Sequence, residues 1–217
     1  MRTLLAASTL IAGLSWAAHG ANLITFSQIA NSNEVTATTN AGNTATTLSV
    51  VDASTSIGQL IGGAPPATAF LNFNATSIDS ATSLGSAVIQ HYSGSFCIST
   101  ASDCGGVDIL SGTFTDAAFG ALNGPGLVVN VNSPPDTLVL SSTLIPPADL
   151  LAPSSFGLSF TNLVPSLAIV GSTIADFSAT FAGDASATPA AVVEPSSLAV
   201  LGFAALGFVA MRRRRYG

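Results

Sequence analysis

The chain has 217 residues, of which 48% are hydrophobic and 7% are charged, and its formal net charge is −6. Its five basic residues are Arg2 and Arg212 to Arg215, so the stretch from Ala21 to Val193 holds ten carboxylates, no Lys and no Arg, and carries a formal charge of −10 with His91 neutral. This distribution excludes nucleic acid and anionic lipid head groups as partners of the middle of the chain, because binding phosphate needs basic side chains.

The first 20 residues have the pattern of a secretory signal peptide. Arg2 is the basic start, Leu4 to Trp16 is the apolar run, and Ala18-His19-Gly20 is a small-residue cleavage site before Ala21. The Sec export machinery is therefore an expected partner, and residues 1–20 are excluded from the fold.

Residues 21–182 are predicted to form one exported all-β domain. Leu71, Phe73 and Ala75 alternate with Asn72 and Asn74, which is the period of a half-buried strand. Similar runs occur at Val88–Ile98, Val107–Phe114, Leu127–Val131, Thr137–Thr143, Phe156–Phe160 and Phe177–Phe181. Proline pairs separate several of these runs and cannot lie in central strands. This spacing predicts an antiparallel, β-sandwich-like domain.

Three stretches have other expected structures. Ala30–Thr47 is short-sided and rich in Thr, and is either an exposed strand pair or a mobile loop. Asp116–Leu122, with a cap-like Asp and several Ala, favours a short helix. Residues 183–192 are predicted to be a linker to the C-terminal segment, which begins at residue 193.

Cys97 and Cys104 are predicted to form a disulfide. A secretory signal implies an oxidising compartment, where two cysteines in one short loop pair by default. A metal site is the alternative, but it needs more soft ligands than His91 and two cysteines supply.

The search for catalytic motifs predicts no catalytic residue, no metal ligand and no cofactor. His91 lies in a strand pattern, where a structural histidine is expected and a Ser-His-Asp triad is the alternative. Asp103, Asp108 and Asp116 follow one another near glycines and are expected to form turns. Their alternatives are a carboxylate pair of a polysaccharide-active hydrolase and a calcium site.

Thr-Ala-Thr occurs twice, at Thr36–Thr38 and at Thr44–Thr46. Rows of Thr-x-Thr on a flat sheet match the lattice of ice in some proteins. Two copies without a fixed repeat favour an ordinary Thr-rich strand, with ice binding as the alternative.

The end of the chain has three parts in a fixed order. The polar motif 193–197 comes first, with Val193, Glu194, Pro195 and Ser196; then an uncharged apolar run of 14 residues, 198–211; then the arginines 212–215. As a helix the run is about 21 Å long, shorter than a hydrocarbon core of ~30 Å, and snorkelling arginines would compensate. We expect a single short transmembrane helix stopped by Arg212, Arg213, Arg214 and Arg215.

This segment resembles the PEP-CTERM sorting signal of Gram-negative bacteria, which is also described as an ice-binding protein C-terminal domain. Glu194 and Pro195 match the second and third positions of its Pro-Glu-Pro motif, and Val193 stands at the first. The resemblance implies recognition by an exosortase, a membrane-embedded processing enzyme. It also implies transient anchoring in the inner membrane before delivery to the cell envelope, surface or medium.

The expected function is that of a non-enzymatic cell-surface or matrix protein, with exopolysaccharide or biofilm as its partner. The alternatives are a secreted polysaccharide-active hydrolase and an ice-binding or adhesion protein.

Overall fold

The computed structural model describes residues 21–84, 87–120, 126–130 and 135–189. Within these ranges the regular structure is strand, apart from one 3-10 turn at Pro147–Asp149, so the expected all-β class is confirmed. The strands are β1 (Ala21–Gln28), β2 (Val35–Thr39), β3 (Thr46–Leu60), β4 (Ala69–Ser77), β5 (Thr82–Leu84), β6 (Ala87–Ser99), β7 (Asp108–Gly120), β8 (Gly126–Asn130), β9 (Thr137–Ser141), β10 (Leu151–Val164), β11 (Ile169–Val170), β12 (Thr173–Ile174) and β13 (Phe177–Thr188).

The strand pairing closes on itself. Starting from β6, the successive neighbours are β4, β3, β1, β13, β10, β8 and β7, and β7 pairs again with β6. Every pair in this ring is antiparallel. Strands β2, β5 and β9 extend the ring, while β11 and β12 form a separate hairpin. The expected antiparallel arrangement is therefore also confirmed.

Strands β1 and β2 share one position in the ring. Both pair with β3 on one side and with β13 on the other, at successive levels along those strands. Residues 29–34 interrupt this composite strand. Ala30–Thr47 thus contains strand β2 and the first residues of β3, so a strand pair is present as expected, but Val35, Ala37 and Thr46 in it are buried rather than exposed.

Aromatic rings fill the interior of the ring of strands. Phe156 of β10 stacks on Phe96 of β6, with ring centroids 3.9 Å apart. The centroid of Phe156 also lies 6.2 Å from that of Phe26, 6.5 Å from Phe73 and 6.4 Å from Phe114. Burial of each such side chain stabilises the fold by about 1.5–3 kcal/mol. Side chains from opposite sides of the ring therefore meet at its centre.

The helix expected at Asp116–Leu122 is wrong for the part that the structure describes, since β7 continues to Gly120. Gly112 and Phe114 are buried before this point in β7, and Ala117 and Phe119 are buried after it. The alternation of buried residues is therefore displaced by one residue between Phe114 and Ala117. Asp116, with φ of 61°, lies at this change, where the pairing of β7 with β6 shifts register. A β-bulge at Asp116 keeps Phe119 in the core, and this burial outweighs the helix preference of the alanines.

The linker expected over 183–192 does not begin at residue 183. Gly183 to Thr188 are the last residues of β13 and pair with both β1 and β10. Ala185 and Ala187 are fully buried in this part. Their small, uncharged side chains look like a linker in sequence, but they fit where three strands pack closely. Residues 190–192 lie outside the described residues.

Candidate functional sites

The predicted targeting segments lie outside the described residues. These are the signal peptide 1–20, the motif with Val193, Glu194, Pro195 and Ser196, the apolar run 198–211 and the arginines Arg212, Arg213, Arg214 and Arg215. In the part of the chain that is described, no helix has the length and apolarity needed to cross a membrane.

The two cysteines lie at disulfide distance, in agreement with the predicted pairing. Their Cα atoms are 5.9 Å apart, with Cys97 in β6 and Cys104 in the loop that follows this strand. Cys97 is buried, whereas Cys104 is exposed. The bond therefore ties the loop that leads into β7 to the outer surface of the sheet.

The same loop is held at a second point by Asp52 of β3. Oδ1 of Asp52 accepts hydrogen bonds from Nδ2 of Asn72, at 2.7 Å, and from the backbone amide of Asp103, at 2.6 Å. The backbone amide of Asp52 donates to Oδ1 of Asn72 at 3.0 Å. The Asn72 side chain, and after it the Asp103 amide, hold the pKa of Asp52 below its usual value. Asp52 is thus a fixed anion that anchors the disulfide loop.

A groove of about 240 Å³ lies between this loop and the neighbouring strands. Val50, Val51, Phe73 and Phe96 line it together with the polar residues Ser49, Asn72, Asn74 and Ser95, and Cys104 closes one side. The groove is therefore smaller than most enclosed small-molecule sites, which measure about 300–1,000 Å³. Hydroxyl and amide groups suit contact with a neutral, hydroxylated ligand through hydrogen bonds.

Hydroxyl and amide side chains form rows across the outer face of the sheet. Thr38 pairs with Thr47, Thr47 pairs with Thr76, and Thr76 pairs with Ser93. Neighbouring strands lie about 4.8 Å apart, and the next outward position on a strand is about 6.8 Å away. The adjacent row consists of Thr36, Ser49, Asn74, Ser95 and Thr113. We call the two rows together the hydroxyl face: Thr36, Thr38, Thr47, Ser49, Asn74, Thr76, Ser93, Ser95 and Thr113. None of these side chains is ionisable.

Only the first of the two Thr-Ala-Thr sequences belongs to the hydroxyl face. Thr36 and Thr38 are exposed on β2, but Thr44 lies in a turn and Thr46 is completely buried. Thr47 occupies the outward position instead. Sequence reasoning missed the contributions of β4, β6 and β7, because which residues share a row depends on the strand register.

His91 pairs with one carboxylate at the start of the turn after β4. Its Nδ1 lies 2.5 Å from Oδ2 of Asp79, and its backbone amide donates to Oδ1 of Asp79 at 2.8 Å. The hydrogen bond to Asp79 is the main cause of a raised pKa for His91, with Asp116 and Asp136 adding to it. The contacts with Asp79 therefore hold β6 to the turn, which is a structural role.

A cluster of fully buried polar side chains lies behind His91, on the opposite face of β6. Gln90, Thr46 and Thr173 have no exposed surface, and neither does Tyr92. Gln90 connects β6 to β12, since its Nε2 donates to Oγ1 of Thr173 at 2.9 Å. Sequence reasoning did not single out these residues, because a lone glutamine between strand residues looks like a surface side chain.

The three aspartates considered for catalysis or calcium have different surroundings. Oδ2 of Asp108 accepts a hydrogen bond from Ser111 at 2.9 Å, and burial raises the pKa of Asp108. Asp103 lies in the disulfide loop with φ of 54°, and Asp116 forms the bulge in β7. Across the described ranges, no three His, Cys, Asp or Glu side chains lie close enough together to hold a metal ion. Asp103 thus lies in a turn, as expected, whereas the turns expected at Asp108 and Asp116 are wrong, since both residues belong to β7.

Comparison of the chain with models of protein families, with curated proteins and with solved structures gives no match in any of the three.

Proposed function

We propose that the protein is an exported, non-enzymatic component of the cell surface or extracellular matrix, sorted by its C-terminal segment. The observation that carries the proposal is the order of polar motif, apolar run and arginine cluster at the end of a chain that begins with a secretory signal. In this proposal an exosortase-type enzyme recognises Val193, Glu194, Pro195 and Ser196. The arginines hold the chain in the inner membrane until it is processed.

Exopolysaccharide is the proposed extracellular partner. The hydroxyl face and the groove beside Cys104 offer neutral hydrogen-bonding groups, and a hydrated polysaccharide presents the matching donors and acceptors. The surrounding carboxylates keep the domain soluble and repel other acidic proteins.

The proposed shape of the domain is a flattened, sandwich-like ring. The contact between Phe73 of β4 and Phe156 of β10 supports it, because these strands lie on opposite sides of the ring and their ring centroids are 6.5 Å apart. The inner faces of two sheets pack in this way when they are about 10 Å apart. The hydroxyl face would then be the outside of one sheet.

Deletion of residues 193–217 in the native host tests the sorting proposal. The full chain is expected in the matrix or outer envelope fraction, and the truncated chain only in the periplasm or medium, without association with polysaccharide. Replacement of Arg212–Arg215 by Ala is the matched control, since it removes the membrane stop but keeps the motif. Normal matrix association of the deletion variant would overturn the proposal.

Intact mass of the protein from each fraction tests processing independently. A released form that ends near Glu194-Pro195 is expected. Persistence of the arginines in every form would make the segment a plain membrane anchor and would remove the main support for a matrix function.

Binding to ice is a second candidate function, favoured by the regular rows of the hydroxyl face. The observation specific to it is the alignment of Thr38, Thr47 and Thr76 in one cross-strand row. A thermal hysteresis measurement on the purified domain tests it, with Thr47→Lys as the variant that interrupts the row. Absence of hysteresis in the unmodified domain would exclude this function.

A further inference from the structure

One row of outward side chains on the hydroxyl face keeps its hydrogen-bonding groups free. The row crosses four neighbouring strands, β3, β4, β6 and β7, and consists of Ser49, Asn74, Ser95 and Thr113. None of these four side chains forms a hydrogen bond with another residue of the described ranges. We call these four residues the free row, because their hydroxyl and amide groups are available to a ligand.

Several other cross-strand pairs of hydroxyls on the outer surface satisfy each other instead. Their oxygens are 3.3 Å apart in the pair Thr47–Thr76, 2.6 Å apart in Thr115–Thr137 and 2.7 Å apart in Thr161–Thr180. The free row also has defined ends. Thr36, beside Ser49, donates to the backbone carbonyl of Ser49, and Val139, beside Thr113, has no polar side-chain atom. Four adjacent strands thus present one unpaired polar side chain each.

The groove beside Cys104 opens onto this row. Ser49, Asn74 and Ser95 line it, together with Val51 and the disulfide partner Cys104. The side chain of Val51 is 69% exposed. The groove therefore places apolar carbon and sulfur surface next to free donors and acceptors, a combination typical of small-molecule sites. A sugar ring carries the matching groups, with C–H bonds on its faces and hydroxyls at its edge.

The two asparagines in the groove have different roles. Nδ2 of Asn72 donates to the carboxylate of Asp52, and Oδ1 of Asn72 accepts the backbone amide of Asp52. Asn74 keeps its carbonyl and both N–H donors for a ligand. Asn72 thereby holds the Asp52 carboxylate next to the groove. No Lys or Arg between Ala21 and Val193 offsets this charge, so an anionic ligand is repelled.

The direction of the free row suits an extended chain molecule. Neighbouring strands are about 4.8 Å apart, so the four residues span about 14 Å with one hydrogen-bonding side chain per strand. In an extended polysaccharide, successive sugar units present their hydroxyls at a comparable interval. The groove, at about 240 Å³, is suited to a single sugar unit. A unit in the groove would therefore have its neighbours along the row toward Thr113.

We propose that the groove and the free row form a binding site for a neutral polysaccharide. One sugar unit lies in the groove, with its C–H face against Val51 and the disulfide and its hydroxyls on Asn74 and Ser95. The polymer continues across β6 and β7 to Thr113. Polysaccharides that carry carboxylate or sulfate groups are excluded by Asp52 and by the charge of the domain. This inference rests on the proposed matrix function, and it names the chemical class and the site of the polysaccharide partner.

Frontal affinity chromatography of the exported protein, purified from its host, tests the class of ligand. The probes are the neutral and the acidic fractions of the host's own exopolysaccharide, separated by anion exchange and immobilised on two columns. Retention is expected on the neutral fraction alone. It should persist when added salt shortens the Debye length from about 10 Å at 0.1 M to about 3 Å at 1 M. Equal or stronger retention on the acidic fraction, or retention on neither, would overturn the proposal.

Matched variants test the site. Asn74→Ala combined with Ser95→Ala removes two free polar side chains and is expected to weaken binding to the neutral fraction at least about tenfold. Thr161→Ala removes a hydroxyl that is paired with Thr180 outside the groove, and it should bind like the unmodified protein. Thermal unfolding verifies that each variant is folded. Unchanged binding of the folded double variant would overturn the assignment, and Asn74→Ala alone provides the test if the double variant is unfolded.

The location of the protein in its host separates this inference from the proposed function. If the protein is kept in the matrix but is retained by neither polysaccharide fraction, the binding site is wrong and the matrix function stands. If the purified protein binds the neutral fraction but is found only in the inner membrane, the matrix function is wrong and the site stands.

Discussion

The backbone amide of Asp103 donates a 2.6 Å hydrogen bond to Oδ1 of Asp52, across 51 residues of sequence. Both residues have left-handed backbone torsions, with φ of 54° and 48°. Asp52 lies where the pairing of β3 with β4 shifts register, and Asp103 lies in the disulfide loop. The bulge at Asp52 in β3 thus presents a carboxylate that binds the loop after β6, and β6 lies two strands away from β3 in the ring.

Replacement of Asp52 by Ala is expected to lower the free energy of unfolding, because it removes the charged acceptor of the hydrogen bonds from Asn72 and from the Asp103 amide. Asp52→Asn is the matched control, since Asn tolerates a left-handed backbone and keeps an acceptor oxygen, and it should lower the free energy of unfolding less than Asp52→Ala does. Urea unfolding of the two variants measures the difference. Equal stabilities would contradict an anchoring role for the Asp52 carboxylate.

Loss of the disulfide is expected to destabilise the domain by about 2.5 kcal/mol, the chain-entropy value for a loop of this length. Cys97→Ala with Cys104→Ala removes it, and reduction of the unmodified protein offers an independent route. Thermal unfolding with and without reductant checks the effect. In the double variant the reductant should change nothing. A large effect of the reductant on thermal unfolding of the double variant would show that the effect does not come from the Cys97–Cys104 disulfide.

Stability is expected to fall as the pH rises through the titration of His91. The pKa of His91 is raised above its ordinary 6.5, mainly by Asp79, so the folded state binds the proton more tightly than the unfolded state. The stabilisation is complete below pH 6.5 and is lost as the pH passes the raised pKa. For a pair this exposed, with side chains 36% and 43% accessible, its size is about 0–1 kcal/mol.

The measurement for this prediction is urea unfolding of the unmodified protein at several pH values from 5.5 to about 8.5, above the ordinary His pKa. His91→Gln should flatten the dependence over this range, and Asp79→Asn should reduce it. A pH dependence that survives in His91→Gln would have to come from a different group.

Phe156 is expected to be the most sensitive aromatic position in the core. Phe156→Ala should cost about 3–5 kcal/mol, because the side chain is 1% exposed and packs against four other aromatic rings. Val139→Ala, at a residue 67% exposed, should change the stability by no more than about 0.5 kcal/mol. Chemical denaturation compares the two. A small effect at Phe156 would mean that the core readily repacks around the cavity.

The sequence predicts strands well where one face is apolar and the other polar. Leu71, Phe73 and Ala75 are buried in β4 as their alternation indicates, and Phe177, Ala179 and Phe181 are buried in β13. An alternating pattern can be recognised from neighbouring residues alone, since every second side chain of a strand lies on its buried face.

Features that depend on strand register or on β-bulges could not be predicted from this alternation. The bulge at Asp116 moves the buried positions by one residue, so Thr115–Phe119 does not read as a single alternating strand. The rows of the hydroxyl face and the contact between Gln90 and Thr173 both require knowing which strands are neighbours. The identity of a residue in these rows, or of Gln90 or Thr173, does not indicate which residue of another strand it contacts.

The pairing of β1 with β13 makes the first and last strands of the described domain neighbours, with Ala21 opposite Ala187. A contact of such high sequence separation forms late and slowly during folding. During synthesis from the N-terminus, nearly the whole described domain must therefore be present before β1 can pair with its second neighbour, β13. Until then β1 and β10 each have an unpaired edge, and such edges can pair with other chains, so β13 is the strand that closes the domain against aggregation.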